Sequence, residues 1–149
     1  MSRFASFLIA TSVSLGAAAE ATAPATPVTN DKLLKGTDNT AEWLHYGGSY
    51  NNWRYSPLKD ISRENASKLR AEWIFQTGVP GQLEASPVVA DGVMYLTASY
   101  NNVWALDATT GATLWKYSHQ LPGDLMFCCG PTNRGVAIAG DLVFMGTLD

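Results

Sequence analysis

The chain has 149 residues, of which 46% are hydrophobic and 15% charged, and its formal net charge is −3 at pH 7. This composition is ordinary for a globular protein with one small core. The ten lysine and arginine residues form no basic run, which argues against a nucleic-acid partner.

The first residues predict an export signal. Arg3 gives a short basic region, residues 4–15 form an apolar stretch, and Ala17-Ala18-Ala19 before Glu20 provides the small residues typical of a cleavage site. The apolar stretch is shorter than the roughly 20 residues that a membrane-spanning helix needs. We therefore expect a signal peptide over residues 1–19 and an exported protein, with a retained membrane anchor as the alternative.

Residues 20–30 have the composition of a linker. The stretch is rich in alanine, proline and threonine, which is typical of an extended tether. We expect the folded part to begin near Asp31 and to run to Asp149.

From Leu69 onward the chain predicts an all-β fold. Short apolar runs alternate with Gly, Pro and Asp turns, and almost no stretch keeps helical periodicity. Residues 90–92 and 107–111 have hairpin-turn chemistry. The predicted strands are residues 72–75, 86–89, 93–97, 102–106 and 113–117.

An internal repeat indicates how these strands are arranged. A shift of about 49 residues aligns residues 88–96 with 137–145, and a shift of about 42 places Trp73 on Trp115. Such periods, with four strands each, predict β-propeller blades, and a β-sandwich is the alternative. Because the second repeat stops at Asp149, we expect this chain to be the N-terminal piece of a longer protein, ending within a blade.

The two cysteines, Cys128 and Cys129, are neighbours, and Arg134 follows them. A disulfide usually joins Cα atoms about 4.4–6.8 Å apart, whereas a trans peptide separates them by about 3.8 Å, so closing this pair would store strain. Strain of this kind is found more often at working sites. On the residues alone, two buried thiols, or pairing with cysteines beyond Asp149, remain alternatives.

Residues 105–115, with the sequence ALDATTGATLW, resemble the tryptophan-docking motif that ends each blade in pyrroloquinoline-quinone (PQQ) dehydrogenases and their relatives. In this motif Asp107 and Thr110 can satisfy turn amides, Gly111 takes a positive φ, and Trp115 packs between neighbouring blades. Non-catalytic scaffold propellers that bind proteins use the same repeat, so the motif by itself indicates only a propeller.

Four further segments, residues 43–48, 54–58, 81–89 and 128–134, resemble the quinoprotein alcohol and methanol dehydrogenases. The resemblance spans roughly Asp31 to Asp149, and the cysteine segment is its most specific part. It implies an eight-bladed propeller with PQQ as its cofactor.

The resemblance also implies a set of cofactor-binding residues. In the family the paired cysteines form a disulfide ring that lies flat against PQQ, a role that falls here to Cys128 and Cys129. The glutamate and arginine beside the cofactor correspond to Glu84 and Arg134. The internal repeat overlays these two within one residue, so we expect both to precede the same strand of successive blades and to line one mouth of the propeller.

The charges of this set suit PQQ, which carries three carboxylates. An arginine fork fits a carboxylate. A carboxyl beside an anionic cofactor is pushed toward its protonated form, so we expect Glu84 to donate a hydrogen bond. The alternatives are a solvated loop charge for Arg134 and an ordinary turn residue for Glu84.

The implied activity is periplasmic oxidation of a small alcohol to an aldehyde, with hydride transfer to PQQ, a calcium or lanthanide ion, and cytochrome c as electron acceptor. The catalytic base and the metal ligands are expected beyond Asp149, so this chain alone should be inactive. Neither histidine has ligand neighbours at metal spacing, and the sequence has no Cys-x-x-Cys-His haem motif. A scaffold propeller without catalysis is the alternative function.

Overall fold

The computed structural model describes residues 26–36 and 38–149. The expected signal peptide and the first half of the expected tether lie outside these residues. None of the described helices is long and apolar enough to cross a bilayer. The elements are α1 (Asn30–Leu34), a 3₁₀ turn (Ala66–Lys68), β1 (Val88–Ala90), β2 (Val93–Ala98), β3 (Asn102–Asp107), β4 (Thr113–Ser118), β5 (Val136–Ala139) and β6 (Leu142–Met145).

In the described part of the chain the strands form two antiparallel sheets. Strands β1 to β4 make a four-stranded meander in chain order, and β5 pairs with β6. Four of the five predicted strands are therefore confirmed. A meander of this kind is the expected form of one propeller blade.

The two hairpins repeat each other with the predicted shift of 49 residues. Ala90 pairs with Val93 in the first hairpin, and Ala139 pairs with Leu142 in the second. The first turn, Asp91-Gly92, has positive φ angles of 49° and 76°. Positive φ at both central residues is the type I′ geometry whose twist matches that of the flanking strands. The sequence repeat is thus a repeat of structure.

The central strands β2 and β3 are buried on both faces. Because side chains alternate along a strand, Tyr95 and Ala105 enter one apolar cluster, while Trp104 and Leu106 enter another on the opposite face. The first cluster also contains Val28, Leu44, Val88, Ala90 and Ile138. One face of the blade is therefore covered by the second sheet and by the chain that precedes the blade.

The docking tryptophan takes the predicted position. Trp115 is paired with Ala105 in the β3–β4 ladder, and its ring lies 6.0 Å from that of Tyr95, centroid to centroid. It packs against the cluster that includes Ile138 of β5. Trp115 therefore lies between the two sheets, as the motif predicts.

The turn between β3 and β4 is closed by the aspartate of the motif. Asp107 Oδ1 accepts hydrogen bonds from the backbone N–H groups of Thr110 at 2.8 Å and Thr109 at 2.9 Å. The bonds from Thr110 are the main reason that the pKa of Asp107 is lowered below its usual value. Gly111 completes the turn with a φ of +72°.

Trp73 also docks on this turn. Its Nε1 donates to the carbonyl oxygen of Ala108 at 3.3 Å. Its ring lies so close to Gly111 that a Cβ there would stand 2.5 Å from Cε3. The shift of 42 residues thus relates two tryptophans of the blade: Trp73, which packs on the β3–β4 turn, and Trp115, which packs against the first cluster.

The predicted strand at residues 72–75 is wrong. Phe75 packs edge-on against Trp104 at 5.8 Å, but Ile74 is 81% exposed, and no ladder joins this segment to another strand among the described residues. Its alternating aromatic residues reflect packing across the face of the blade. A β-type pattern becomes a strand only where a neighbouring backbone offers hydrogen bonds.

The expected tether boundary at Asp31 is too late. Val28 is 2% exposed and forms an antiparallel bridge with Gly140, with N···O distances of 2.7 and 2.8 Å. The side chain of Thr29 then caps α1 by accepting from the N–H of Lys32. Burial of a valine side chain contributes about 1.5–3 kcal/mol. A single apolar residue can therefore hold a segment of tether-like composition against the sheets.

Glu42 fixes the next part of the N-terminal segment to the blade. Its carboxylate is nearly buried and accepts from Lys32 Nζ at 3.0 Å, Asn39 Nδ2 at 2.7 Å and the N–H of Asp91 at 3.3 Å. Trp43 then bridges Val89 on the open edge of β1 through two backbone bonds. The N-terminal segment therefore binds the hairpin turns at one end of the sheets.

Candidate cofactor site

The predicted site residues Glu84 and Arg134 lie at the other end of the sheets. Glu84 comes shortly before β1 and Arg134 shortly before β5, the two strands that the repeat equates. Arg134 donates from Nε at 3.1 Å and from Nη2 at 3.0 Å, both to Oε2 of Glu84. Both residues therefore precede equivalent strands, as the repeat predicts, and the structure adds their direct contact.

The ion pair leaves the guanidinium open to solvent. The Arg134 side chain is 74% exposed and that of Glu84 is 36% exposed. Exposed pairs of this kind contribute only about 0–1 kcal/mol to stability. Glu84 accepts both bonds because its neighbouring charge is a cation, whereas the expected donor role depends on a neighbouring anion. That role stays a prediction for the cofactor complex.

Cys128 and Cys129 are exposed thiols in the structure. Their Sγ atoms lie 2.9 Å apart, which is a thiol hydrogen-bond contact and longer than the roughly 2.05 Å of a disulfide. Among the described residues, therefore, nothing buries either thiol. The disulfide between these neighbours stays a prediction, and their sulfur atoms already face each other.

The Cys129 thiol is perturbed by both of its polar neighbours. The hydrogen bond to Cys128 is the main reason that the pKa of Cys129 is raised, and desolvation acts in the same direction. The positive charge of Arg134 acts in the opposite direction and lowers it. The charge of Arg134 therefore acts on Cys129, five residues before it in the chain.

Reactivity of the thiols toward iodoacetamide should follow from this shift. Because the thiolate is the nucleophile, alkylation of Cys129 in the reduced protein should rise with a midpoint above the usual thiol value of about 8.5. Replacing Cys128 with Ala removes the hydrogen bond and should move the midpoint down, whereas Arg134→Ala should move it up. Mass spectrometry of each peptide across pH 6–11 measures the profile, and a midpoint that Cys128→Ala leaves in place would contradict it.

A cavity of about 460 Å³ lies beside Arg134. This volume is within the usual range for small-molecule sites. Tyr46, Ser86, Thr132 and Thr147 line it together with Arg134, so one guanidinium and several hydroxyl groups face a common space. The lining does not include the side chains of Glu84 and the cysteines. Such a donor set fits an anionic, carboxylate-bearing ligand.

Sequence reasoning did not single out the cavity-lining residues Tyr46, Ser86, Thr132 and Thr147, and it missed the role of Asn133. Asn133 was read only as part of the cysteine motif, yet it is 6% exposed, and its side chain bonds to Asn101, Gly135 and Gly146. A single asparagine in a Gly- and Pro-containing loop is also typical of ordinary turns, so the sequence offers no signal that distinguishes it.

Comparison with known proteins decides the family. Residues 43–143 match the family model described as PQQ, glucose/ethanol/alcohol dehydrogenase, β-propeller domain. The chain belongs to this family. It is 43% identical over 143 residues to a quinoprotein ethanol dehydrogenase of Pseudomonas aeruginosa, and the match covers 95% of this chain and 23% of that protein. The chain thus spans about a quarter of the length of this relative.

Solved structures support the same assignment within the PQQ dehydrogenase family. A quinohemoprotein alcohol dehydrogenase from Pseudomonas putida superposes with a TM-score of 0.78 at 38% identity, over 87% of this chain and 19% of that one. A europium-containing methanol dehydrogenase gives a TM-score of 0.74 at 37% identity, over 80% and 22%. The two sheets are therefore part of a β-propeller, and the β-sandwich alternative is wrong.

No metal centre is formed by the residues that the structure describes. Nowhere in residues 26–36 and 38–149 do three His, Cys, Asp or Glu side chains gather in a group that could hold an ion. His45 Nε2 instead contacts the carbonyl oxygen of Leu33 at 2.9 Å, and His119 pairs with Asp149 at 3.0 Å. In the described residues His45 thus contacts the backbone of the N-terminal segment, and His119 forms a surface ion-pair contact.

Proposed function

We propose that this chain supplies one side of the cofactor site of a PQQ-dependent dehydrogenase that oxidises a small alcohol to its aldehyde. The observation that carries the proposal is the exposed Glu84–Arg134 pair at one end of the blades, with Arg134 on the same chain segment as two cysteines whose sulfur atoms face each other. Similar proteins include an ethanol dehydrogenase and a methanol dehydrogenase, which favours a primary alcohol as the substrate.

The residues have separate roles in this proposal. The Arg134 fork binds a carboxylate of the cofactor, because a planar guanidinium can donate two parallel bonds to it. Glu84 orients that fork and contacts the cofactor. Cys128 and Cys129, joined as a disulfide, offer a flat sulfur surface to the ring system. The hydroxyl groups around the cavity provide the remaining polar contacts.

The rest of the proposal concerns the whole protein. When bound, PQQ would supply a quinone able to accept a hydride from the alcohol, a base would take the hydroxyl proton, and cytochrome c would be the electron acceptor. A calcium or lanthanide ion would assist this quinone. Its ligands and the base belong to the part of the relatives' length that this chain does not span. A signal peptide over residues 1–19 would deliver the protein to the periplasm.

Quinone uptake by the full-length protein tests this function. Protein prepared without cofactor, then titrated with PQQ and calcium or a lanthanide salt, should bind one PQQ per chain by absorbance and then oxidise ethanol with a dye acceptor. The Cys128→Ser/Cys129→Ser variant keeps two polar groups of similar size but cannot form a disulfide. We expect it to bind PQQ at least about tenfold more weakly, a loss of about 1.4 kcal/mol.

Both cysteines are exposed, so the double variant should melt at nearly the same temperature as the wild type. A wild-type protein that folds but takes up no quinone would overturn the proposal and favour the scaffold propeller. Unchanged affinity in the double variant would instead remove the cysteines from the site.

A further inference from the structure

The loop between β2 and β3 is strained. It contains Tyr100 with a φ of +60° and Asn101 with a φ of +53°, both in the left-handed region. This region costs about 1–2 kcal/mol for a residue other than glycine, and asparagine tolerates it better than tyrosine. Asn101 is also fully buried, and its Nδ2 has no hydrogen-bond partner among the described residues. Strain of this kind persists only where the surroundings hold it.

The segment that carries the cysteines is seated on this loop. The N–H of Tyr100 donates to the carbonyl oxygen of Pro131 at 2.9 Å. The Tyr100 ring meets Phe127 edge-on, with 6.5 Å between the ring centroids. Phe127 precedes Cys128 and Pro131 follows Cys129, so the strained loop holds the cysteine pair from both sides.

Asn133 makes the remaining hydrogen bonds that hold the cysteine segment in place. Its Nδ2 donates to the carbonyl oxygen of Gly146 at 2.8 Å and reaches Asn101 Oδ1 at 3.4 Å, while its Oδ1 accepts from the N–H of Gly135 at 3.2 Å. Its carbonyl oxygen accepts from Thr97 Oγ1 at 3.3 Å. This single residue therefore joins the cysteine segment to the end of β2, to the strained loop and to the chain after β6.

The adjacent Arg134 depends on this anchor. Its side chain is largely exposed, so packing does not fix its position, and its backbone follows directly from that of Asn133. We propose that Asn133 is a positioning residue that sets the cysteine pair and Arg134 in place by seating their segment on the strained Tyr100-Asn101 loop. The part of this inference that concerns PQQ affinity rests on the proposed function, in which this segment binds PQQ.

The proposal has a consequence for the thiols that needs no cofactor. With glutathione disulfide as the oxidant, the two thiols give up two electrons and two protons, one S–S bond forms, and two molecules of glutathione are released. A seated segment keeps the two sulfurs facing each other. Freeing it should therefore reduce the fraction of protein with a Cys128–Cys129 disulfide at a given glutathione poise.

The test compares three variants of the full-length protein without cofactor. Asn133→Ala removes all the side-chain bonds of the anchor, and Thr97→Val removes one bond to its carbonyl without a change of shape. Val28→Ala is the control, because Val28 is equally buried but lies at the opposite end, on the β5–β6 turn. Each variant is measured for melting temperature, glutathione equilibrium and PQQ affinity, at a temperature where it is folded.

We expect Asn133→Ala to lower the glutathione equilibrium constant at least about fivefold and PQQ affinity at least about tenfold, a change of about 1.4 kcal/mol. Thr97→Val should shift both in the same direction by less. Val28→Ala should lower only the melting temperature. Equal shifts in Val28→Ala, or no shift in Asn133→Ala, would overturn the proposal. If Asn133→Ala does not fold, Thr97→Val decides in the same way.

The outcome separates this inference from the proposed function. Should the wild-type protein fail to bind PQQ, the proposed function falls, while the glutathione equilibrium still reports whether Asn133 positions the cysteines. If the wild type binds PQQ and neither Asn133→Ala nor Thr97→Val changes the equilibrium or the affinity, the positioning role alone is wrong.

Discussion

Replacing Gly111 with Ala should destabilise the blade much more than replacing Gly92 with Ala. Both glycines have nearly the same positive φ, +72° and +76°, so both substitutions cost about 1–2 kcal/mol in backbone strain. Around Gly92 a Cβ would meet nothing within 4 Å, but at Gly111 it would stand 2.5 and 2.6 Å from Cε3 and Cδ2 of Trp73. Overpacking of this kind adds about 1–3 kcal/mol.

Denaturant unfolding of the full-length protein gives the free energy of unfolding of each variant. Because both variants share the same backbone strain, the difference between them reports the contact of Trp73 with the turn. We expect Gly111→Ala to lose about 2–5 kcal/mol in total and Gly92→Ala about 1–2 kcal/mol. Equal losses would mean that the Trp73 ring moves aside freely, and that its contact with the turn contributes little to the blade.

Arg134→Ala should weaken PQQ binding about 10- to 150-fold. The substitution removes a charge-assisted donor pair, and hydrogen bonds to charged groups contribute about 1.5–3 kcal/mol. Arg134→Lys keeps the charge without the planar fork and should recover part of the affinity. Titration of the cofactor-free full-length protein with PQQ, followed by fluorescence or absorbance, gives the dissociation constants.

Two further variants make this result specific. Lys35→Ala removes another exposed cation, on the segment that binds the opposite end of the sheets, and should leave the affinity unchanged. Glu84→Gln removes a charge but keeps an acceptor for Arg134 and should preserve binding, as expected if Glu84 donates to the cofactor. The arginine assignment fails if Arg134→Ala binds PQQ as tightly as Lys35→Ala does.

Much of the blade was predictable because it depends on local patterns. The apolar runs at residues 93–97 and 102–106, the turn at Asp91-Gly92 and the shift of 49 residues predicted two central strands and a repeated hairpin, and the structure has both. The docking motif likewise predicted Trp115 between the sheets. Each of these features depends on the side chains and the turn geometry of a few consecutive residues. Such local patterns can be recognised in the sequence without knowledge of the tertiary structure.

The same local reasoning failed at Val28 and at residues 72–75. Val28 is buried because two hairpin turns and the core beneath them meet at its position, a fact absent from its own neighbourhood in the sequence. Residues 72–75 carry a strand pattern, but no strand in the described part of the chain pairs with them. In both cases long-range packing overrode composition and propensity.

For the candidate site, the sequence by itself determined which residues are present and that Glu84 and Arg134 precede equivalent strands. Only the tertiary structure decided that these two residues pair at 3.0 Å. It also decided that Asn133 anchors the segment that carries the cysteines and Arg134. The physical reason is that the partners of Asn133 lie 32 to 36 residues back, at Asn101 and Thr97, and 13 residues ahead, at Gly146. A hydrogen bond depends on distance and direction, which local sequence patterns do not specify.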